Sequence, residues 1–81
     1  MADRFEDSYA GQLRALVGAR LLKLPGACVL IENTAGEILL ERSIGRDHYR
    51  LIGGLAEARE SMEQCARREV LEETGLTLGR L

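Results

Sequence analysis

The chain has 81 residues, 46% of them hydrophobic and 30% charged, and a formal net charge of −2. That length holds one small domain, which buries only about 60% of the surface its unfolded chain would expose. The mild acidity gives no electrostatic basis for binding a nucleic acid polymer or an anionic membrane, and the composition is globular rather than disordered or fibrous.

The N-terminus, Met-Ala-Asp-Arg-Phe-Glu-Asp, lacks the apolar segment of a secretion signal. No apolar run approaches the roughly 20 residues that span a bilayer. A cytoplasmic location is therefore expected. Cys28 and Cys65 have no Cys or His neighbour at ligand spacing, which excludes the common zinc frameworks and a disulfide scaffold. Each is expected to be a small buried core residue.

Residues 1–7 are polar and expected to fray. Ser8 is a candidate N-cap. After it, Tyr9, Leu13, Leu16 and Val17 recur at i, i+4, i+7 and i+8, the stripe of an amphipathic helix that Gly18 would end. Leu21 to Leu24 forms a short apolar link closed by Pro25-Gly26. The run "ACVLIE" (Ala27 to Glu32) has the length and β-branched content of a buried strand. "NTAG" supplies turn residues, and the apolar run from Ile38 to Arg42 completes a predicted β-hairpin. Residues 43–50, "SIGRDHYR", read as a polar loop in which His48, Tyr49 and Arg50 face solvent. Gly53-Gly54 is expected in a loop, where backbone can approach a metal or a phosphate closely.

The best marked element is the next helix, from about Met62 to Thr74. Ser61 followed by Gln64 is a capping-box pair, and Gly75 stands where a terminating glycine belongs. At 100° per residue, Met62, Ala66, Glu69 and Glu73 share a face, with Cys65 and Val70 flanking it and Glu72 beside Glu69. The acidic cluster thus continues the apolar stripe toward the protein body. Carboxylates on a helix usually form a solvated face, but Glu69 and Glu73 are a like-charge i,i+4 pair, repulsive even when exposed. Partly buried, three such groups need neutralising. Arg68 can offset one charge, and a hard divalent cation is the simplest partner for the rest.

These residues spell a known pattern. Gly54, Glu60, Arg68, Glu69, Val70, Glu72, Glu73, Gly75 and Leu76 fit GX5EX7REUXEEXGU, with U a bulky aliphatic, at each specified position. The segment resembles the signature of the Nudix hydrolase family. The resemblance implies an α/β fold, an α/β/α sandwich. It also implies Mg²⁺- or Mn²⁺-dependent hydrolysis of the diphosphate in a nucleoside diphosphate linked to another moiety. By position, Glu69, Glu72 and Glu73 resemble the metal-binding carboxylates, and Gly53 resembles the residue that offers a backbone carbonyl to the metal. Arg68 resembles the residue orienting the glutamates, Glu60 the auxiliary acid, and Glu69 the base. Glu57 matches a glutamate frequent in the family's loop.

Three positions depart from the usual family pattern. Ile52 replaces a proline, Tyr49 a tryptophan, and Arg59 a glycine; a positive φ at Arg59 would be strained. The resemblance covers about residues 26–78. It predicts a single domain over 1–81 that is the N-terminal portion of the family fold. A helical arm would span 1–25, and the strands, glycine loop and catalytic helix would span 26–81. Recognition of the nucleotide is then expected from later strands and loops, or from a second copy in a homodimer. The alternative is a truncated or non-catalytic Nudix-like module that binds a nucleotide or protein partner.

Overall fold

The structure, a computed structural model, describes residues 4–42, 44–45 and 47–81. Ser43 and Arg46, within the predicted polar loop, and residues 1–3, within the segment expected to fray, lie outside the described residues. Five main elements follow in order: α1 (Tyr9–Val17), β1 (Gly26–Val29), β2 (Leu40–Glu41), β3 (Arg50–Leu55) and α2 (Met62–Thr74). The fold is α/β.

Ser8 organises the N-terminal segment from both sides. Its Oγ accepts the N–H of Gly11 at 3.0 Å as the cap of α1, and its hydroxyl donates to the Phe5 carbonyl at 2.6 Å. The second bond secures a 3-10 turn, Phe5–Asp7, where the sequence suggested fraying. Gly18 ends α1 as expected, donating its N–H to the Arg14 carbonyl.

The turn at Asn33 forms through side-chain chemistry. Asn33 Oδ1 accepts the N–H groups of Ala35 and Glu37, and Gly36 takes a φ of 82°. Backbone bonds from Leu39 to Ile31 and from Asn33 to Glu37 close the hairpin. Its first arm is not the buried strand expected. Regular pairing in β1 stops at Val29, and Leu30 is 68% exposed.

β3 is the central strand of a three-stranded antiparallel sheet ordered β1-β3-β2. Val29 pairs with Ile52 and Cys28 with Gly53, while Leu40 and Glu41 pair with Leu51 and Arg50. Arg50 therefore belongs to a strand rather than to the polar loop, and Gly53-Gly54 lies inside β3 rather than in a loop. A strand of four residues and another of two could not have been resolved from periodicity, because the pattern repeats only every second residue.

α2 lies over β3 and β1 and buries Cys65, Ala66 and Val70. The core joins Val29, Ile52, Ala66 and Val70, with Ala27, Ile31 and Leu78 packed against it. Burying Ile52 and Val70 contributes about 2 kcal/mol each. The Ile52 that replaces the family's proline is thus a central core residue.

Two expectations about the core fail. Met62 is 44% exposed, because the inward face of α2 is rotated toward Val70. Cys28 is exposed, unlike Cys65, because Ala27 and Val29 take the face of β1 toward α2 and Cys28 alternates to the other. Among the described residues no helix is long and apolar enough to cross a membrane.

Candidate active site

α2 delivers its carboxylates to the glycine end of β3. The capping box at Ser61 and Gln64 is complete, and Gly75 adopts the left-handed conformation that stops the helix. The turns between these points present Arg68, Glu69, Glu72 and Glu73 toward the sheet. Ile52 and Gly54 alternate onto the face that meets them. The absence of a side chain at Gly54 makes the approach possible: a Cβ there would sit 2.5 Å from the Glu69 carboxyl carbon and 2.6–2.7 Å from its oxygens.

Arg68 holds the cluster together. Its guanidinium donates to Glu60 Oε2 at 2.6 Å and Oε1 at 2.9 Å, to Glu69 Oε1 at 2.7 Å, to Glu72 Oε2 at 3.1 Å, and to the Leu55 carbonyl at 2.9 Å. One planar fork thus ties three carboxylates to the backbone of β3. These contacts keep Arg68 charged, with its pKa raised chiefly by the bond to Glu60. In return the Arg68 hydrogen bond holds the Glu60 carboxyl below the usual carboxylate range. Glu60 also accepts the N–H of Glu57 at 2.9 Å, which shapes the loop leading into α2. Within that loop Arg59 takes a φ of 66°, the strained conformation anticipated where the family has glycine.

Glu73 stands apart from this network. The pairing with β2 covers only Arg50 and Leu51 of β3, which leaves the Gly53 N–H to donate to Glu73 Oε2 at 3.0 Å. Gly53 thus reaches the cluster through its N–H, whereas the resemblance gives this position a carbonyl contact. Burial pushes the Glu73 carboxyl up to about 7, and the adjacent Glu41 adds a hydrogen bond and repulsion in the same direction.

Nothing in the sequence marks Glu41 as a site residue, and Arg50, expected to face solvent, is brought to the cluster with it. Arg50 Nε meets Glu41 Oε1 at 2.6 Å, and its terminal nitrogen reaches Glu73 Oε1 at 3.5 Å. Only the register of β2 on β3, which sets Glu41 opposite Arg50, brings them together. No local signal marked that register. His48 and Tyr49 are exposed, as expected.

The chain matches the NUDIX domain over residues 22–81. It belongs to the Nudix family. No solved structure matches it. The Nudix match takes in all three strands, α2 and every residue of the Arg68 network, and it begins after α1.

Enzymes of the Nudix family generally use divalent metals. Among the described residues no three His, Cys, Asp or Glu side chains already converge as a metal cage. Arg68 engages Glu69 and Glu72, and the Gly53 N–H engages Glu73. The chemistry nevertheless suits a hard cation: three carboxylates on one helix face, half-buried at Glu69 and Glu73, with Glu73 destabilised as an anion by its surroundings.

Proposed function

We propose that the protein hydrolyses the diphosphate bond of a nucleoside diphosphate linked to another moiety, in a reaction that requires Mg²⁺ or Mn²⁺. The observation that carries this reading is the gathering of three carboxylates on one helix face beside Gly53-Gly54: Glu69 and Glu72 held by Arg68, and Glu73 held by the Gly53 N–H. Membership of the Nudix family supports the reaction class. A cytoplasmic setting suits such a substrate.

In this reading Glu69, Glu72 and Glu73 hold the metal, and the Gly53 backbone contributes to its surroundings. A divalent ion held by these carboxylates would supply positive charge against the diphosphate and lower the pKa of a water at neutral pH. Arg68 fixes the orientation of Glu69 and Glu72, so that their oxygens are arranged before a substrate arrives. Glu60 acts one step back, keeping Arg68 from turning away. Glu69 is the base: Arg68 holds one of its oxygens at 2.7 Å and the bare Gly54 backbone lets its carboxylate sit close to the sheet, beside the other metal-binding carboxylates.

The test is calorimetric titration of Mn²⁺ and Mg²⁺, together with mononucleotide or phosphate release from a panel of nucleoside diphosphate derivatives. The parent should take up metal and release product, and Glu69→Gln should lower kcat by about a hundredfold or more with little loss of fold. Absence of metal uptake by the parent would overturn the assignment.

A further inference from the structure

Beside the carboxylate cluster the N-terminal segment forms one wall of a cleft of about 230 Å³. Arg4 and Phe5 line one side, and Leu55, Glu57, Arg68 and Glu69 line the other. The segment is fastened in this position. The Tyr9 N–H donates to Glu57 Oε1 at 2.8 Å, joining the first turn of α1 to the loop before α2. Gly11 is buried beneath the 3-10 turn, where any side chain would collide with the Phe5 carbonyl. Phe5 itself remains 60% exposed. A phenyl ring whose backbone is held from two directions, yet whose surface is left open beside a polar site, presents a flat apolar face to a ligand.

We propose that this cleft takes the nucleobase of the substrate, stacked on Phe5 above Leu55, with the diphosphate extending toward Glu69. The inference rests on the hydrolase reading and adds to it the place where the base is bound. The volume falls below the roughly 300–1,000 Å³ of pockets that enclose a whole drug-sized ligand, so it suits one ring system rather than the entire substrate. Stacking on an aromatic side chain is available to every base. Arg4, which meets Glu6 at 3.4 Å in solvent, has further N–H donors for the acceptor edge of a ring. The segment responsible lies before the matched residues 22–81, so base recognition comes from a part of the chain that the shared domain does not include.

The experiment compares the full chain with its Phe5→Ala and Phe5→Trp variants in the presence of Mn²⁺. ADP carries a base and pyrophosphate does not. Phe5→Ala should bind ADP about tenfold more weakly than the parent, while binding pyrophosphate and Mn²⁺ alone as the parent does. The chain has no tryptophan, so Phe5→Trp introduces a single reporter. It should keep the affinity for ADP, and its fluorescence should be quenched by ADP but not by pyrophosphate. Equal ADP affinity in the parent and Phe5→Ala, or a Phe5→Trp signal indifferent to ADP, overturns the proposal. If the parent hydrolyses nothing, the function proposed above falls, and quenching of Phe5→Trp by ADP still sustains the base site.

Discussion

The two helices begin and end alike but are used differently. Ser8 and Ser61 both sit in extended backbone and accept an N–H three residues on, and both helices stop at a glycine. Yet α2 buries Cys65, Ala66 and Val70, whereas α1 buries only Ala10 and Gly11 and leaves Leu16 83% exposed. Caps and stop residues are local chemistry and fix where a helix starts and stops. What a helix buries depends on the surface opposite it, and for α2 that surface is the glycine end of β3 and the apolar side of β1.

The largest effect should come from breaking the packed side of this contrast. Ile52 is 1% exposed and shares the core with Val29, Ala66 and Val70. Ile52→Ala should cost about 3 kcal/mol, through lost transfer energy and the cavity left behind. For a domain of this size that lowers Tm by roughly 10 °C or more in a thermal melt. Leu16→Ala on α1 should change stability by about 0.5 kcal/mol or less. Equal losses at the two positions would mean that α1 is packed as firmly as α2.

The same contrast explains how much could be read in advance. The helix 62–74, its capping box, the turn at Asn33 and the Arg68-centred carboxylates are encoded within short stretches, and each is found where the residues put it. The burial of Cys28, the length of β1 and the setting of Gly53-Gly54 are tertiary outcomes. They depend on which strand lies beside β3 and in what register. Glu41 is the clearest case. It closes an apolar run like many surface glutamates, and it acquires significance only once pairing sets it opposite Arg50 and near Glu73. Arg59 goes the other way, since its positive φ was legible from the glycine that the family pattern has there.

Charge pairs divide along the same line, with a smaller effect. Glu60 is only 12% exposed in its pair with Arg68, while Arg4 and Glu6 are 65% and 67% exposed in theirs. Arg68 lowers the Glu60 pKa from its ordinary 4.5. Above that value Glu60 is ionised in both folded and unfolded chains, and its pairing contributes fully. As pH falls below about 4.5 the unfolded chain takes up the proton first, so the contribution fades through the lower folded-state value. Glu60→Gln should therefore cost about 1–2 kcal/mol near neutral pH, with the difference from the parent shrinking as the pH falls below about 4.5. Urea melts across that range measure it. Glu6→Gln should leave the melts unchanged. A Glu60 difference that does not depend on pH would show that the residue acts through shape rather than charge.

The smallest effect concerns the loop that links the two halves of the comparison. Arg59 has a φ of 66°, a conformation that costs a residue with a Cβ about 1 kcal/mol. That twist lets the Glu60 N–H donate back to the Glu57 carbonyl at 3.1 Å while Glu60 accepts the Glu57 N–H. Glu57 is in turn the acceptor that fastens α1 through Tyr9. Arg59→Gly removes the backbone strain but makes the unfolded chain freer, which offsets roughly half of the gain. The net should be a stabilisation of about 0.5 kcal/mol, or a rise of roughly 2–4 °C in Tm. A fall in Tm instead would show that the Arg59 side chain contributes more to the folded state than its backbone strain removes. The loop joining α1 to α2 would then be held by that side chain as well as by the Glu57 and Glu60 bonds.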